Sequence, residues 1–209
     1  FHEMLQKKIK TKPISFFNIG GILNKTTIWE DGLLTARDLG PGMCLIDKWI
    51  RTNSKKKYDK NGDIAKSGKV NEIVLNKYRN AFKASDPHQI SLDISDFDIS
   101  FAKGLSLEDG AATLTFHTAE YFINHLKLNE KEKIILCGGG RKNKFLVNTI
   151  KSYSKNIKLI DDYGVDGDFV ESQAFAYLAI RSFLGLPISF PETTGCKKPV
   201  TGGKIIKFK

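Results

Sequence analysis

The run of apolar and polar positions splits the chain into an early β-rich part and a later part where helices and strands alternate. In "PISFFNIGGILNKTTIWEDGLLTARDLGPG", Pro13 opens an apolar run through Ile19, and Gly20-Gly21 breaks it. Ile22 to Trp29 resumes with Thr and Ile, Asp31-Gly32 carries a strong hairpin signal, and Leu33 to Leu39 runs on until Gly40-Pro41-Gly42 stops the sheet. The pattern predicts a three-stranded β-meander. "MCLIDKWIRT" then changes period, with Met43, Ile46 and Ile50 on one helical side and Leu45 and Trp49 flanking. "SGKVNEIVLNKYRNAF" reads as an amphipathic helix, residues 85 to 105 as irregular chain.

The clearest helix is "SLEDGAATLTFHTAEYFINHLKL". Ser106 suits the N-cap with Asp109 at the third helical position, and Leu107, Ala111, Leu114, Thr118 and Phe122 keep the helical period. From Lys133 the order becomes strand, glycine-rich turn, helix (Asn143 to Ser154), strand ("NIKLI"), loop and helix. The last helix, "DGDFVESQAFAYLAIRSFLGL", is apolar nearly all round from Ala174 to Ile180, which predicts deep burial. Three antiparallel strands followed by an alternating α/β half predict one mixed-sheet α/β domain over 1–209, since no repeat or low-complexity linker divides it.

With 209 residues the chain can bury roughly 70% of its unfolded surface, enough for a core without covalent staples. Cys44, Cys137 and Cys196 are scattered thiols with no C-x-x-C pair, and His2, His88, His117 and His125 show no ligand spacing with them. No metal site is expected from these residues. No apolar run reaches the roughly 18 residues of a membrane span, so a cytoplasmic protein without membrane contact is expected. The net charge of +10 raises nucleic acid as a partner. Its lysines are scattered, however, and the one dense cluster, "RTNSKKKYDKNGD", reads as a solvated loop, so no nucleic-acid partner is expected.

Candidate chemistry gathers at the glycines. A glycine-rich turn between strand and helix lets backbone N–H groups approach an anion or a flat ligand. Gly20-Gly21, Gly40-Pro41-Gly42 and Gly138-Gly139-Gly140 are three such breaks, each alternatively a plain tight turn. The triplet lacks the G-K-[ST] of a phosphate-binding P-loop. With Asn143 it gives G-x-G-x-x-N, and Asp161 and Asp162 stand about twenty residues on, where a dinucleotide fold keeps its ribose-binding acid. The asparagine and the preceding meander depart from that fold, so a dinucleotide-binding oxidoreductase ranks low. Asp166, Asp168 and Glu171 precede or open the final helix. The helix dipole accounts for the first two. Glu171, expected to lie deeper, either hydrogen-bonds a polyol or is structural.

"FFNIGGILNKT", "RDLGPGMCLIDKWI", "CGGGRKN", "DDYGVDGDFVESQAFAYLAIRSFLGLPISFPETTG" and "KKPVTGGKI" occur in this order. Together they resemble the C-terminal portion of the anhydro-N-acetylmuramic acid kinase family, essentially from end to end of the chain. The resemblance implies a ribonuclease-H-like fold of the acetate and sugar kinase, Hsc70 and actin superfamily. It implies ATP and Mg²⁺ as cofactors and an amino sugar as substrate. Such a kinase opens the 1,6-anhydro ring with water while phosphorylating O6, giving N-acetylmuramic acid 6-phosphate in cell-wall recycling. By the same resemblance, Asn18, Gly20, Gly21 and Asn24 form the second phosphate-contacting hairpin. Gly138, Gly139, Gly140 and Asn143 form the adenosine-side loop, and Glu171 meets the amino sugar. Asp38, Gly40, Pro41 and Gly42 match a family segment that can be assigned only as a loop near the cleft.

Two departures bear on activity. Family members carry an earlier half with the first phosphate loop and the aspartate that activates water, and this chain is expected to lack both. Phosphoryl transfer rests on positioning and charge stabilisation, so the chain alone is expected to bind nucleotide weakly and turn over negligibly unless a second chain supplies that half. "SDPHQIS" also stands where relatives show a Pro-Pro-Lys-Ser-like segment. The alternative is an inactive remnant or interaction domain, and the family's expected dimerisation leaves a homodimer open. An exposed apolar patch would favour the kinase fragment, a polar surface the independent module.

Overall fold

The computed structural model describes residues 1–83, 91–126 and 131–206. The segment expected to alter the sugar site, residues 85–91, lies outside the described residues except for Ser91. In chain order the elements are α1 (His2–Ile9), β1 (Ile14–Ile19), β2 (Ile22–Ile28), β3 (Leu34–Pro41), α2 (Cys44–Asn53), α3 (Asp63–Ser67), α4 (Glu72–Lys83), α5 (Leu107–Asn124), β4 (Lys133–Cys137), α6 (Lys144–Lys151), β5 (Ile157–Leu159), α7 (Val170–Phe183) and α8 (Pro191–Thr194).

The five strands form one sheet in the order β3-β2-β1-β4-β5. The meander pairs antiparallel, while β1–β4 and β4–β5 are parallel. This mixed sheet with helices is the α/β architecture expected from the sequence. β1 sits at its centre and is buried along nearly its whole length, as a strand covered on both faces must be. Phe17 and Ile19 point to the layer of α5 and α6, where they meet Phe122, Leu146 and Ile150. Ile14 and Phe16 point the other way and pack with Leu5 of α1, Ile135 and Cys137. A third cluster joins α2, α3, α4 and α5 around Trp49, Ile50, Tyr78 and Leu114.

Two expectations change, and one element was not foreseen. α1 was not legible as an element, because "HEMLQKKI" is mostly polar and buries only Leu5 and Gln6. The sheet does stop within Gly40-Pro41-Gly42, but Gly40 and Pro41 belong to the strand and not to a loop. β3 runs through Pro41, and Gly40 and Pro41 pair with Leu23 and Ile22. The deepest correction concerns α7, which has no buried residue: Phe175 is 66% and Phe183 72% exposed. An all-apolar helix is buried only where layers cover it. Here Val170 touches the α1-side core and Tyr177 meets Phe1 edge-on at 6.1 Å, while the remaining face is open.

His117 in α5 is 2% exposed, its ring 5.2 Å from that of Tyr78. Burial, aided by the charge of Arg79, pushes its pKa down to about 4. An unfolded imidazole titrates near about 6.5, so below that pH the unfolded chain takes the proton first. The neutral ring's contribution to stability is complete above that value and is lost as pH falls through about 4. Chemical denaturation is expected to show stability falling across this window, with His117→Gln removing about 3 kcal/mol of that fall at most.

Candidate functional site

The parallel pairing of β1 and β4 sets two glycine turns side by side at one sheet end, since Asn18, two residues before Gly20, pairs with Cys137, one residue before Gly138. The Gly20-Gly21 hairpin is held from behind by the entry to α2: the N–H of Gly42 donates to Gly21 O at 2.9 Å, and that of Met43 to Gly20 O at 2.7 Å. A Cβ on Gly42 would lie 2.3 Å from Gly20 O, and one on Gly40 would lie 2.3 Å from the Tyr121 ring. Gly42 therefore serves close backbone packing beneath the hairpin, and Gly40 leaves room for the Tyr121 ring. Asp38 accepts from Leu92 N at 3.0 Å and anchors the segment after α4. None of Asp38, Gly40 and Gly42 lines either cavity of the cleft.

The first cavity, about 610 Å³, brings together Asn18, Gly20, Gly21, Asn24, Gly138, Gly139 and Glu171. The second, about 470 Å³, shares Gly20, Gly21 and Gly139 with it and adds Asn143. Gly140 lines neither, because its backbone lies against Ile19, whose Cγ2 would be 2.3 Å from a Cβ. Glu171 is exposed in the cavity wall, not buried as expected, because the helix that carries it is itself uncovered. Its carboxylate therefore needs no buried partner and is open to a ligand. Cys137 also lines the first cavity, yet burial pushes its thiol up to about 12, so it is a protonated packing residue near neutrality.

Arg141 organises this end and was not singled out from sequence. Its side chain is 5% exposed and forks between Asp161, at 2.8 Å from Nε, and Asp168, at 2.8 Å from Nη2. Nη1 donates to Gly138 O at 3.1 Å, tying the triplet to the approach to α7. Gly167 must be bare here, since a Cβ would lie 2.1 Å from Arg141 Nε. A planar fork meets these three acceptors, which a lysine could not. The hydrogen bond from Arg141 holds the Asp161 carboxyl below its usual range, and that from Lys142, with Arg141, does the same for Asp168. Asp162 accepts from Leu159 N at 2.9 Å. The spacing of Asp161 and Asp162 that resembled a ribose-binding acid is thus spent on internal bonds. Asn143 caps α6, its Oδ1 accepting from Leu146 N at 3.0 Å.

Asp47, Lys57, Tyr58, Asp59 and Asn61 form the far wall of the second cavity and were also missed. The lysines of the dense cluster are exposed, as expected of a solvated loop, but the acid that follows them is not. Buried Asp59 accepts from Ile64 N and Ala65 N, both at 2.9 Å, and so caps α3 and orders the segment. An acid two residues after the lysines, followed by Asn-Gly, was the available signal. Among the described residues no group of three or more His, Cys, Asp or Glu side chains is placed to hold a metal ion, and no helix is long and apolar enough to cross a membrane.

The sequence profile of the family described as anhydro-N-acetylmuramic acid kinase matches residues 1–207. A protein of that name from Pelagibacter ubique (strain HTCC1062) is 49% identical over 99% of this chain and 59% of its own length. Those from Brucella canis and Caulobacter vibrioides are 40% and 39% identical over 91% and 93% of this chain, and 53% of their own lengths. The chain thus spans somewhat more than half the length of these relatives. Two glycine turns on neighbouring strands of a ribonuclease-H-like sheet and this end-to-end match lead to one conclusion: the chain belongs to the anhydro-N-acetylmuramic acid kinase family.

Proposed function

We propose that this chain forms the nucleotide side, and part of the sugar side, of a kinase that uses ATP to open and phosphorylate 1,6-anhydro-N-acetylmuramic acid. The observation that carries the reading is the convergence of Gly20-Gly21 and Gly138-Gly139 on one cleft, with Gly139 facing both of its cavities. Backbone N–H groups at such turns suit phosphate oxygens, which have no need of side-chain bulk in the way. Asn18 and Asn24 flank the hairpin with amide donors, and Glu171 offers an acceptor to sugar hydroxyls. In the reaction, water adds at C1 as the anhydro bond to O6 breaks, and the γ-phosphoryl passes from ATP to O6, leaving ADP. The Mg²⁺ that accompanies ATP takes its ligands chiefly from phosphate and water, with few carboxylates.

The reading includes a need for further protein. Phe175, Ile180 and Phe183 lie exposed along one helix beside the cleft, an apolar surface of the kind other protein covers. Nucleotide binding without turnover is therefore expected of the chain alone, and turnover on adding the portion of the Pelagibacter relative that this chain does not span. Calorimetry with ATP and ADP, with and without Mg²⁺, and a phosphorylation assay on the anhydro sugar test both halves. Turnover by the pure chain would remove the need for a second part. A folded chain that bound no nucleotide would overturn the kinase reading itself.

A further inference from the structure

The short helical turn Gly139–Lys142 carries two cations in succession, and both close on one carboxylate. Arg141 Nη2 holds Oδ1 of Asp168, and Lys142 Nζ holds Oδ2. Asp168 belongs to the approach to α7, three residues before Glu171. The same guanidinium reaches Asp161 through Nε and Nη2 and Gly138 O through Nη1, so four of its five N–H groups are committed. Asp161 in turn accepts from Gly167 N at 3.3 Å. Arg141 thus holds the approach by two routes, one through Asp168 and one through Asp161. The Lys142 side chain is 59% exposed, and a pair of that kind contributes little, whereas the Arg141 side chain is 5% exposed.

Little else grips α7. No residue of it is buried, and it meets the α1 side through Val170 in its first turn and Tyr177 against Phe1. A helix so lightly packed opens locally with ease, and what holds the residues before it decides where its first turn stands. Glu171 lies in that turn and lines the same cavity as Gly138, Gly139 and Arg141. One buried side chain therefore joins the turn proposed for phosphate to the carboxylate proposed for sugar.

We infer that Arg141 is a positioning residue that couples the two sides of the cleft: a nucleotide seated on the glycine triplet steadies Glu171 by way of Gly138 O, the guanidinium and the approach to α7. The inference rests on the nucleotide and sugar reading above and goes beyond it by assigning the coupling to one residue. Arg141 acts through its neighbours, not on the reacting atoms. A ligand that restrains the triplet lowers the entropy still to be lost when sugar orders Glu171, and such coupling needs no large movement. Lysine cannot replace the fork, because a single ammonium does not span Gly138 O, Asp161 and Asp168 together.

Hydrogen exchange on the whole chain, with and without saturating ADP, tests the coupling, with thermal unfolding as the check on folding. The probes are Gly167, Phe169 and Gln173, whose N–H groups donate to Asp161 Oδ1, Asp166 O and Phe169 O. Leu186, which donates to Arg181 O beyond the other end of α7, is the reference. In the unaltered chain ADP is expected to slow exchange at the probes by roughly 5-fold or more, the lower end of usual coupling between sites, and to change Leu186 less. Arg141→Lys, at its own saturating ADP, is expected to lose that slowing, and Asp168→Ala, which cuts one of the two routes, to lose part of it. A merely structural arginine would speed exchange equally with and without ADP and leave the ratio in place. Bound ADP without slowing in the unaltered chain, or a full ADP effect in folded Arg141→Lys, would overturn this inference while leaving the nucleotide reading intact. A folded unaltered chain that bound no ADP would overturn both. Should Arg141→Lys not fold, Asp168→Ala decides: that side chain is 49% exposed, so its loss leaves the fold in place, and an undiminished ADP effect there would overturn the inference.

Discussion

Gly139→Val is expected to fold as the parent does and to bind ATP roughly 10- to 100-fold more weakly, the range that forcing extra methyl groups into a fitted contact implies. Three consecutive glycines look equivalent in sequence, but the structure gives them different reasons. Gly138 has φ +79°, and a Cβ there would stand 2.4 Å from Asn18 Oδ1 and 2.7 Å from Ile19 O. Gly140 would drive its Cβ to 2.3 Å from Ile19 Cγ2. Both are demanded by the packing of the turn on β1. Gly139 has an ordinary φ, and a Cβ there would meet nothing within 4 Å, so the fold would accept a side chain. On the proposed nucleotide reading, a ligand passing over the turn is what a side chain at position 139 would obstruct. Calorimetry with thermal unfolding separates the cases, and Gly138→Val serves as the contrast, expected to unfold the turn. Undiminished binding by a folded Gly139→Val chain would show that nucleotide does not cross the triplet.

How far the sequence could be read follows from which features are local. The five strands were legible because their apolar runs end at Gly, Asn and Asp-Gly punctuation that acts within a few residues. The Ser106 cap was legible for the same reason: its hydroxyl accepts from Asp109 N at 3.0 Å. The reciprocal half of a capping box is absent, because the Asp109 carboxylate accepts from Lys69 N, a partner forty residues away. The glycine turns of the cleft announced themselves, whereas Asp47 did not. Along α2 it is simply a polar position on an amphipathic helix, and only docking of that helix behind the hairpin carries it to the triplet. α7 failed in the opposite direction. Its pattern states that all sides avoid water, but no pattern within a segment says whether the covering layers are present. The Asp161–Asp162 pair shows a third kind of failure, in which correct spacing is shared by two chemistries. An arginine twenty residues earlier, immediately after the triplet, takes up Asp161.

Lys25→Met is expected to destabilise the chain by about 3–5 kcal/mol, the cost of leaving a buried charge without its partner. Lys25 in β2 and Glu132 just before β4 are 6% and 2% exposed, with Nζ 3.3 Å from Oε1. Ser15 in β1 donates to the same carboxylate oxygen, and its hydroxyl lies 2.8 Å from that of Thr27. The Lys25 ammonium also stands 5.1 Å from the centre of the Phe17 ring. Three strands therefore meet at one charge pair, at the sheet end opposite the glycine turns. β4 has only five residues, and its register against β1 decides where Gly138 emerges beside the hairpin. With the lysine gone, Glu132 would remain desolvated between β1 and β2, with the hydroxyl of Ser15 as its remaining identified support. Glu132→Gln in the same chain should restore part of the loss, since a neutral amide costs less to bury than a lone carboxylate. Urea denaturation of the parent, both single variants and the double variant yields the coupling directly. A loss below about 1 kcal/mol for Lys25→Met, within the range of exposed pairs, would mean that water reaches Glu132 and that the pair does not hold the strands. The expected coupling would instead make this pair the far-end clamp that keeps the two glycine turns of the cleft in register.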